Sequence, residues 1–150
     1  MIKIVPDANI IISGMITPTG ATRKIIDLAY AKKIILYGSD ETYKEFCEKI
    51  KLNRFQKHLK KQYFSPKKIM LDYHSFIDMI NPFNLLKNEN IVVKDPDDDK
   101  YLKVAVASNS KIILSRDKHL LKIKKYKDVT IVEPERFLKS WYKLNGGKLF

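Results

Sequence analysis

Residues 95–100 read Asp-Pro-Asp-Asp-Asp-Lys and put four carboxylates into five positions of a chain whose formal net charge is +12. A solvated acidic run is the plain reading. The setting argues for more. An apolar run, Ile91-Val92-Val93, precedes the acids, and a helical pattern from Tyr101 to Ala107 follows them. Acids where a strand hands over to a helix lie at the carboxyl end of a sheet, where open α/β proteins build their sites. Other acids stand at similar handovers. Asp7 follows Ile2 to Val5, Asp117 follows Ile112-Ile113-Leu114, and Glu41, Glu45 and Glu48 lie on the segment after Ile34 to Tyr37. In a parallel sheet these connections share one edge. Carboxylates gathered there repel unless a cation neutralises them. Hard oxygen ligands suit Mg²⁺ or Mn²⁺, and such ions activate water and stabilise the charge that develops in phosphodiester cleavage.

The elements that must position these acids alternate. Short apolar runs read as strands at Ile2 to Val5, Ile34 to Tyr37, Ile91 to Val93, Ile112 to Leu114 and Val129 to Val132. Between them lie helical patterns. One begins on Ile10 to Met15. A second is capped by Thr22 and runs to about Ala31, with Ile25, Ile26 and Leu28 inward. A third starts at Ser39 or Asp40. Leu52, Phe55, Leu59 and Tyr63 then recur at helical spacing, with Lys49, Lys51, Arg54, Lys57, Lys60 and Lys61 on the outer face. Ser65-Pro66 reads as a cap and first helical position, and Ile69, Tyr73, Phe76, Ile77 and Ile80 carry that helix to Asn81-Pro82. The acidic stretch opens a helix to about Asn109. Glu133-Pro134 starts the last one, with Phe137, Leu138 and Trp141 inward. Strands apolar on both faces and separated by helices predict an α/β domain with a parallel sheet of four or five strands, covered on both sides.

The 150 residues suit one domain, 1–150, with a sizeable core. Lys and Arg outnumber Asp and Glu by 29 to 17, an excess that favours a polyanionic partner. Cys47 is the only cysteine, so a cysteine-based zinc cluster is excluded and a reducing compartment is expected. His58, His74 and His119 are scattered. The sequence carries no Gly-x-Gly-x-x-Gly and no Gly-Lys-Ser/Thr loop. It has no signal-peptide core and no apolar run near the ~20 residues that span a bilayer. A soluble, cytoplasmic protein is the expectation.

Taken in order, the motifs resemble the PIN domain, the nuclease module of many toxin–antitoxin toxins. That family opens with a strand and Asp-x-Asn, as Asp7-Ala8-Asn9 does here. It puts a glutamate on the helix after the second strand, which singles out Glu45. It has an aspartate opening a helix before an aliphatic-alanine pattern, matched by Asp99 ahead of Leu102 and Ala105, and a Thr-x-Asp after a strand, matched by Ser115-Arg116-Asp117. The run from Asp95 to Leu102 most resembles the toxin branch. The likeness covers almost the whole chain. Two departures stand out: Ser115 replaces the commoner threonine, and His119 stands where many relatives have another aspartate.

The resemblance implies a three-layer α/β/α fold and a ribonuclease in which Asp7, Glu45, Asp99 and Asp117 hold Mg²⁺ or Mn²⁺. Asn9, Ser115 and Asp98 are then expected to orient those carboxylates or water. Asp97 or Asp98 serves equally as a helix cap. Arg54, Lys57, Lys60 and Lys61 are the expected contacts to single-stranded RNA. An antitoxin protein is the implied partner, and a homodimer a further expectation. The alternatives are an RNA-binding module with a degraded site, motivated by Ser115 and His119, and an RNA-processing nuclease with no toxin role.

Overall fold

Ile2–Pro6 forms strand β1, flanked on both sides by other strands. The computed structural model describes residues 1–61, 65–82 and 96–146. The other strands are β2 (Ile34–Gly38), β3 (Ile77–Met79), β4 (Ile112–Leu114), β5 (Lys125–Tyr126) and β6 (Val129–Val132), in the order β3-β2-β1-β4-β6-β5. Five are mutually parallel, with Ile4 level with Leu36 on one side and Ile112 on the other. Only β5, hairpinned onto β6, runs antiparallel.

The helices are α1 (Ala8–Ile16), α2 (Ala21–Tyr30), α3 (Asp40–Ile50), α4 (Asn53–Lys61), α5 (Pro66–Phe76), α6 (Pro96–Ser108), α7 (Lys118–Ile123) and α8 (Pro134–Leu144). Strand side chains alternate between faces, and this sorts the core into two clusters. Ile4, Leu36 and Leu114 pack with residues of α1, α2, α3, α5 and α8. Val5 and Ile113 pack with Tyr101, Leu102, Val104 and Ala105 of α6 and Leu120 of α7. The result is the three-layer α/β arrangement the sequence pattern predicts, with six strands among the described residues.

Two local expectations change. The helix expected to reach Ile80 stops at Phe76, and residues 77–79 pair with β2 instead. Apolar spacing at 69, 73, 76, 77 and 80 suits a helix throughout, but the open edge of β2 offers hydrogen bonds, including Gly38 C=O to the Ile80 N–H at 2.9 Å. Thr22 is not a cap: Gly20 holds that position, and the buried Thr22 hydroxyl meets Ser13 Oγ at 3.0 Å. The strand expected at Ile91 to Val93 lies outside the described residues, as does Tyr63.

Other local signals act as expected. Ser39 closes a reciprocal cap with Thr42 at the start of α3. Gly38 permits the turn into it, because a Cβ there would stand 2.5 Å from the Tyr73 hydroxyl and 3.0 Å from Ile77 Cγ2. That close passage seats α3, and with it Glu45, against the sheet edge.

Candidate active site

Asp7 sits at the carboxyl end of β1, one residue beyond the strand. Its N–H continues the sheet by donating to Leu114 C=O at 3.0 Å, and its extended backbone caps α1. One carboxylate oxygen accepts the Ile10 N–H at 2.9 Å, and the other accepts the Ser115 hydroxyl. The side chain is thus held from both neighbouring segments and lies only 3% exposed. Burial pushes its carboxyl above the usual range. The Ser115 and Ile10 hydrogen bonds and the Lys49 charge oppose that rise, and the nearby Glu45 charge adds to it.

Glu45 reaches the same place from α3. Of the three glutamates on that helix, Glu41 and Glu48 are exposed and Glu45 is half-buried. Its Oε2 accepts the hydroxyl of Tyr101, which enters from α6. The same phenol oxygen accepts the Ala8 N–H at 3.1 Å. One buried hydroxyl therefore ties α1, α3 and α6 together. Burial, then the Glu45 charge, drive the Tyr101 phenol far above its ordinary range, so it remains a neutral donor. Lys49 and Lys100 flank the carboxylate, each 3.4 Å from one of its oxygens.

The remaining predicted residues are placed less uniformly. Ser115 is fully buried, and besides holding Asp7 its Oγ accepts the Asp117 N–H at 2.9 Å. Asp117 thereby joins the cluster through Ser115, while its own Oδ1 caps α7 by accepting the His119 N–H at 2.8 Å. Asp99 is not joined to Asp7 by any described contact. Its Oδ2 pairs with Lys103 at 3.0 Å on the side of α6 near Glu41, and its Oδ1 is buried without a partner. The side chain of Asp98 lies outside the described set. Asn9 is half-buried and its Oδ1 meets the Arg54 guanidinium at 3.5 Å. Arg54, Lys57, Lys60 and Lys61 are all exposed on α4.

Sequence reasoning missed Tyr101 and Lys100. The signal for Tyr101 was present: its hydroxyl is a polar handle in a stretch from Tyr101 to Ala107 that is apolar apart from Lys103, and a buried phenol needs a partner. That this partner would be a glutamate on another helix is tertiary information.

These residues suit a hard cation in donor type, and the orphaned Asp99 Oδ1 is a buried oxygen with capacity to spare. Among the described residues, however, no three acids, histidines or cysteines stand close enough to enclose an ion. The larger cavity, about 400 Å³, opens elsewhere, beside Met1 and Ile34 at the amino ends of the strands. A smaller one of about 270 Å³ adjoins Asn9. No helix among the described residues is long and apolar enough to cross a membrane.

Comparison with known proteins agrees with this geometry. The chain is 36% identical over 124 residues to an uncharacterized protein of Methanocaldococcus jannaschii, covering 82% of this chain and 76% of that one. Its fold is similar to a solved structure of VapBC2 from Rickettsia felis bound to a DNA fragment from their promoter, with a TM-score of 0.57 at 12% identity, covering 88% of this chain and 98% of that one. Residues 3–119 match the PIN domain model, a span that runs from β1 through Asp7, Glu45, Asp99 and Asp117 into α7. This chain belongs to the PIN domain family.

Proposed function

We propose that this protein is a Mg²⁺- or Mn²⁺-dependent ribonuclease that hydrolyses single-stranded RNA and acts as the toxin of a toxin–antitoxin pair. PIN domains are generally nucleases that use divalent metal ions. The observation that carries the reading is the buried Asp7 carboxylate, fixed by Ser115 and Ile10 and facing Glu45 across the site. Membership of the family and the likeness to VapBC2 support it.

In this reading Asp7, Glu45, Asp99 and Asp117 would hold the metal. A bound divalent ion supplies an activated water and neutralises charge building on the scissile phosphate. The chain's own residues do the rest. Ser115 orients Asp7 and, through its backbone contact, Asp117. Tyr101 aims Glu45. Lys49 and Lys100 balance the Glu45 charge while metal is absent. Asn9 steadies Arg54 at the rim, from which the α4 lysines extend an exposed cationic track for the RNA backbone.

The test is cleavage of a labelled single-stranded RNA by purified protein. Cleavage with Mn²⁺ or Mg²⁺ that ceases on chelation and in Asp7→Asn is the expected result. Undiminished cleavage in excess EDTA refutes the metal mechanism. A second reading, a binding module with a degraded site, is favoured by the absence of an enclosed three-acid group among the described residues. It expects salt-sensitive RNA binding without turnover, and metal-dependent turnover lost in Asp117→Ala eliminates it.

A further inference from the structure

We propose that the cavity between α1, α4 and Arg116 receives one nucleobase of the RNA strand, beside the phosphate held at the acidic site. This deepens the ribonuclease reading and rests on it. The cavity is lined by Asn9, Ile10, Ser13, Arg54, Phe55 and Arg116 and encloses about 270 Å³. Drug-sized ligands fill pockets of about 300–1,000 Å³, so this one takes a smaller, planar group.

Its location follows from two connections to Asp7. Ile10, in the cavity wall, donates its N–H to one Asp7 oxygen at 2.9 Å. Arg116, which also lines the cavity, directly follows Ser115, whose hydroxyl holds the other Asp7 oxygen. A group seated in the cavity is therefore next to the acidic cluster.

The lining has the chemistry of a base-stacking subsite. Phe55 supplies a half-buried ring, and the Arg54 guanidinium lies 4.7 Å from its centroid. Unpaired bases stack on both aromatic rings and guanidinium planes. Asn9 and Ser13, one helical turn apart on α1, add an amide and a hydroxyl to the lining, polar groups suited to the edge of a base. Arg116 stands at the rim, paired with Glu135, and Arg54 leans on Asn9, so two cations are held where the strand's phosphates pass. A chain of net charge +12 is suited to that polyanion. A partner protein seated in the same cavity is the rival that the test resolves.

The experiment measures affinity, in EDTA, for a short oligouridylate and for an abasic ribose-phosphate strand of equal length. The wild-type protein should prefer the base-bearing strand by roughly 5- to 150-fold, the equivalent of about 1–3 kcal/mol for one stacked base. Phe55→Leu should erase most of that preference and keep the salt slope, since stacking releases no counterions. Phe55→Tyr, which keeps an aromatic face, should restore it. Equal wild-type affinity for the two strands overturns the proposal. So does a preference that survives Phe55→Leu. Loss of a purified partner protein's binding in Phe55→Leu, with base preference intact, assigns the cavity to that partner and overturns it as well. Cleavage of the same oligouridylate with Mn²⁺ reports separately on the ribonuclease reading, so failure of one is not mistaken for failure of the other.

Discussion

Replacing Tyr101 with Phe removes one oxygen and leaves the ring in its cluster with Val5 and Ile113. Two partners lose it at once. The Ala8 N–H belongs to the first turn of α1, where no intrahelical acceptor exists, and Ala8 is 1% exposed. A buried donor left unmatched costs about 1–3 kcal/mol, and a hydrogen bond to a charged group contributes about 1.5–3 kcal/mol. The full sum is not expected, because Glu45 keeps Lys49 and Lys100 at 3.4 Å and its side chain is 19% exposed. A net loss of roughly 2–3 kcal/mol is therefore expected, largely from Ala8. For a chain of this size it lowers Tm by about 4–12 °C. Urea and thermal unfolding measure it. A double-mutant cycle with Glu45→Gln isolates the Tyr101–Glu45 share, expected at about 0.5–3 kcal/mol for groups in contact. A Tyr101→Phe cost below about 0.5 kcal/mol, the level of ordinary surface changes, refutes the claim that this hydroxyl binds three helices together.

Other expectations follow from the same geometry. Burial raises the Asp7 pKa, so the folded protein holds that proton more tightly than the unfolded chain does. The stability tied to Asp7 is therefore full below the ordinary carboxylate pKa and is lost as pH rises through the raised one. In metal-free protein Asp7→Asn should flatten this fall and raise stability at neutral pH; an unchanged pH slope in urea melts contradicts it. Lys57→Glu with Lys61→Glu should weaken RNA binding and reduce the salt slope by about two counterions, with Mn²⁺ affinity by calorimetry nearly unchanged. An untouched salt slope places the RNA away from α4 and makes that basic face a partner surface.

Much of the fold was legible because strong local signals agreed with the tertiary answer. Ile34 to Tyr37 and Ile112 to Leu114 are apolar on both faces, as buried parallel strands must be, and Ile2, Ile4 and Val5 depart from that only at Lys3. Ser39 and Ser65 announce helix starts through hydrogen bonds that form within a single turn. Where a local pattern suited two structures, tertiary context chose. Ile77 and Ile80 fit a helix stripe as well as a strand, and the vacant edge of β2 settled the matter. Thr22 has the chemistry of a cap, but the packing of α1 against α2 turns its hydroxyl toward Ser13.

The candidate site divides along the same line. Sequence alone determined that carboxylates follow β1 and β4 and that a parallel sheet delivers them to one edge, because strand direction sets which ends share that edge. That β4 lies beside β1, so that the Ser115 hydroxyl holds Asp7, is a tertiary outcome. Only the tertiary structure decided that Tyr101 bridges Glu45 and the start of α1, and that Asp99 pairs with Lys103. Those outcomes depend on how α3 and α6, on opposite faces of the sheet, are rotated where they meet at its edge. That rotation is set by packing contacts such as those around Gly38 and Tyr73, and no local pattern near the acids encodes it.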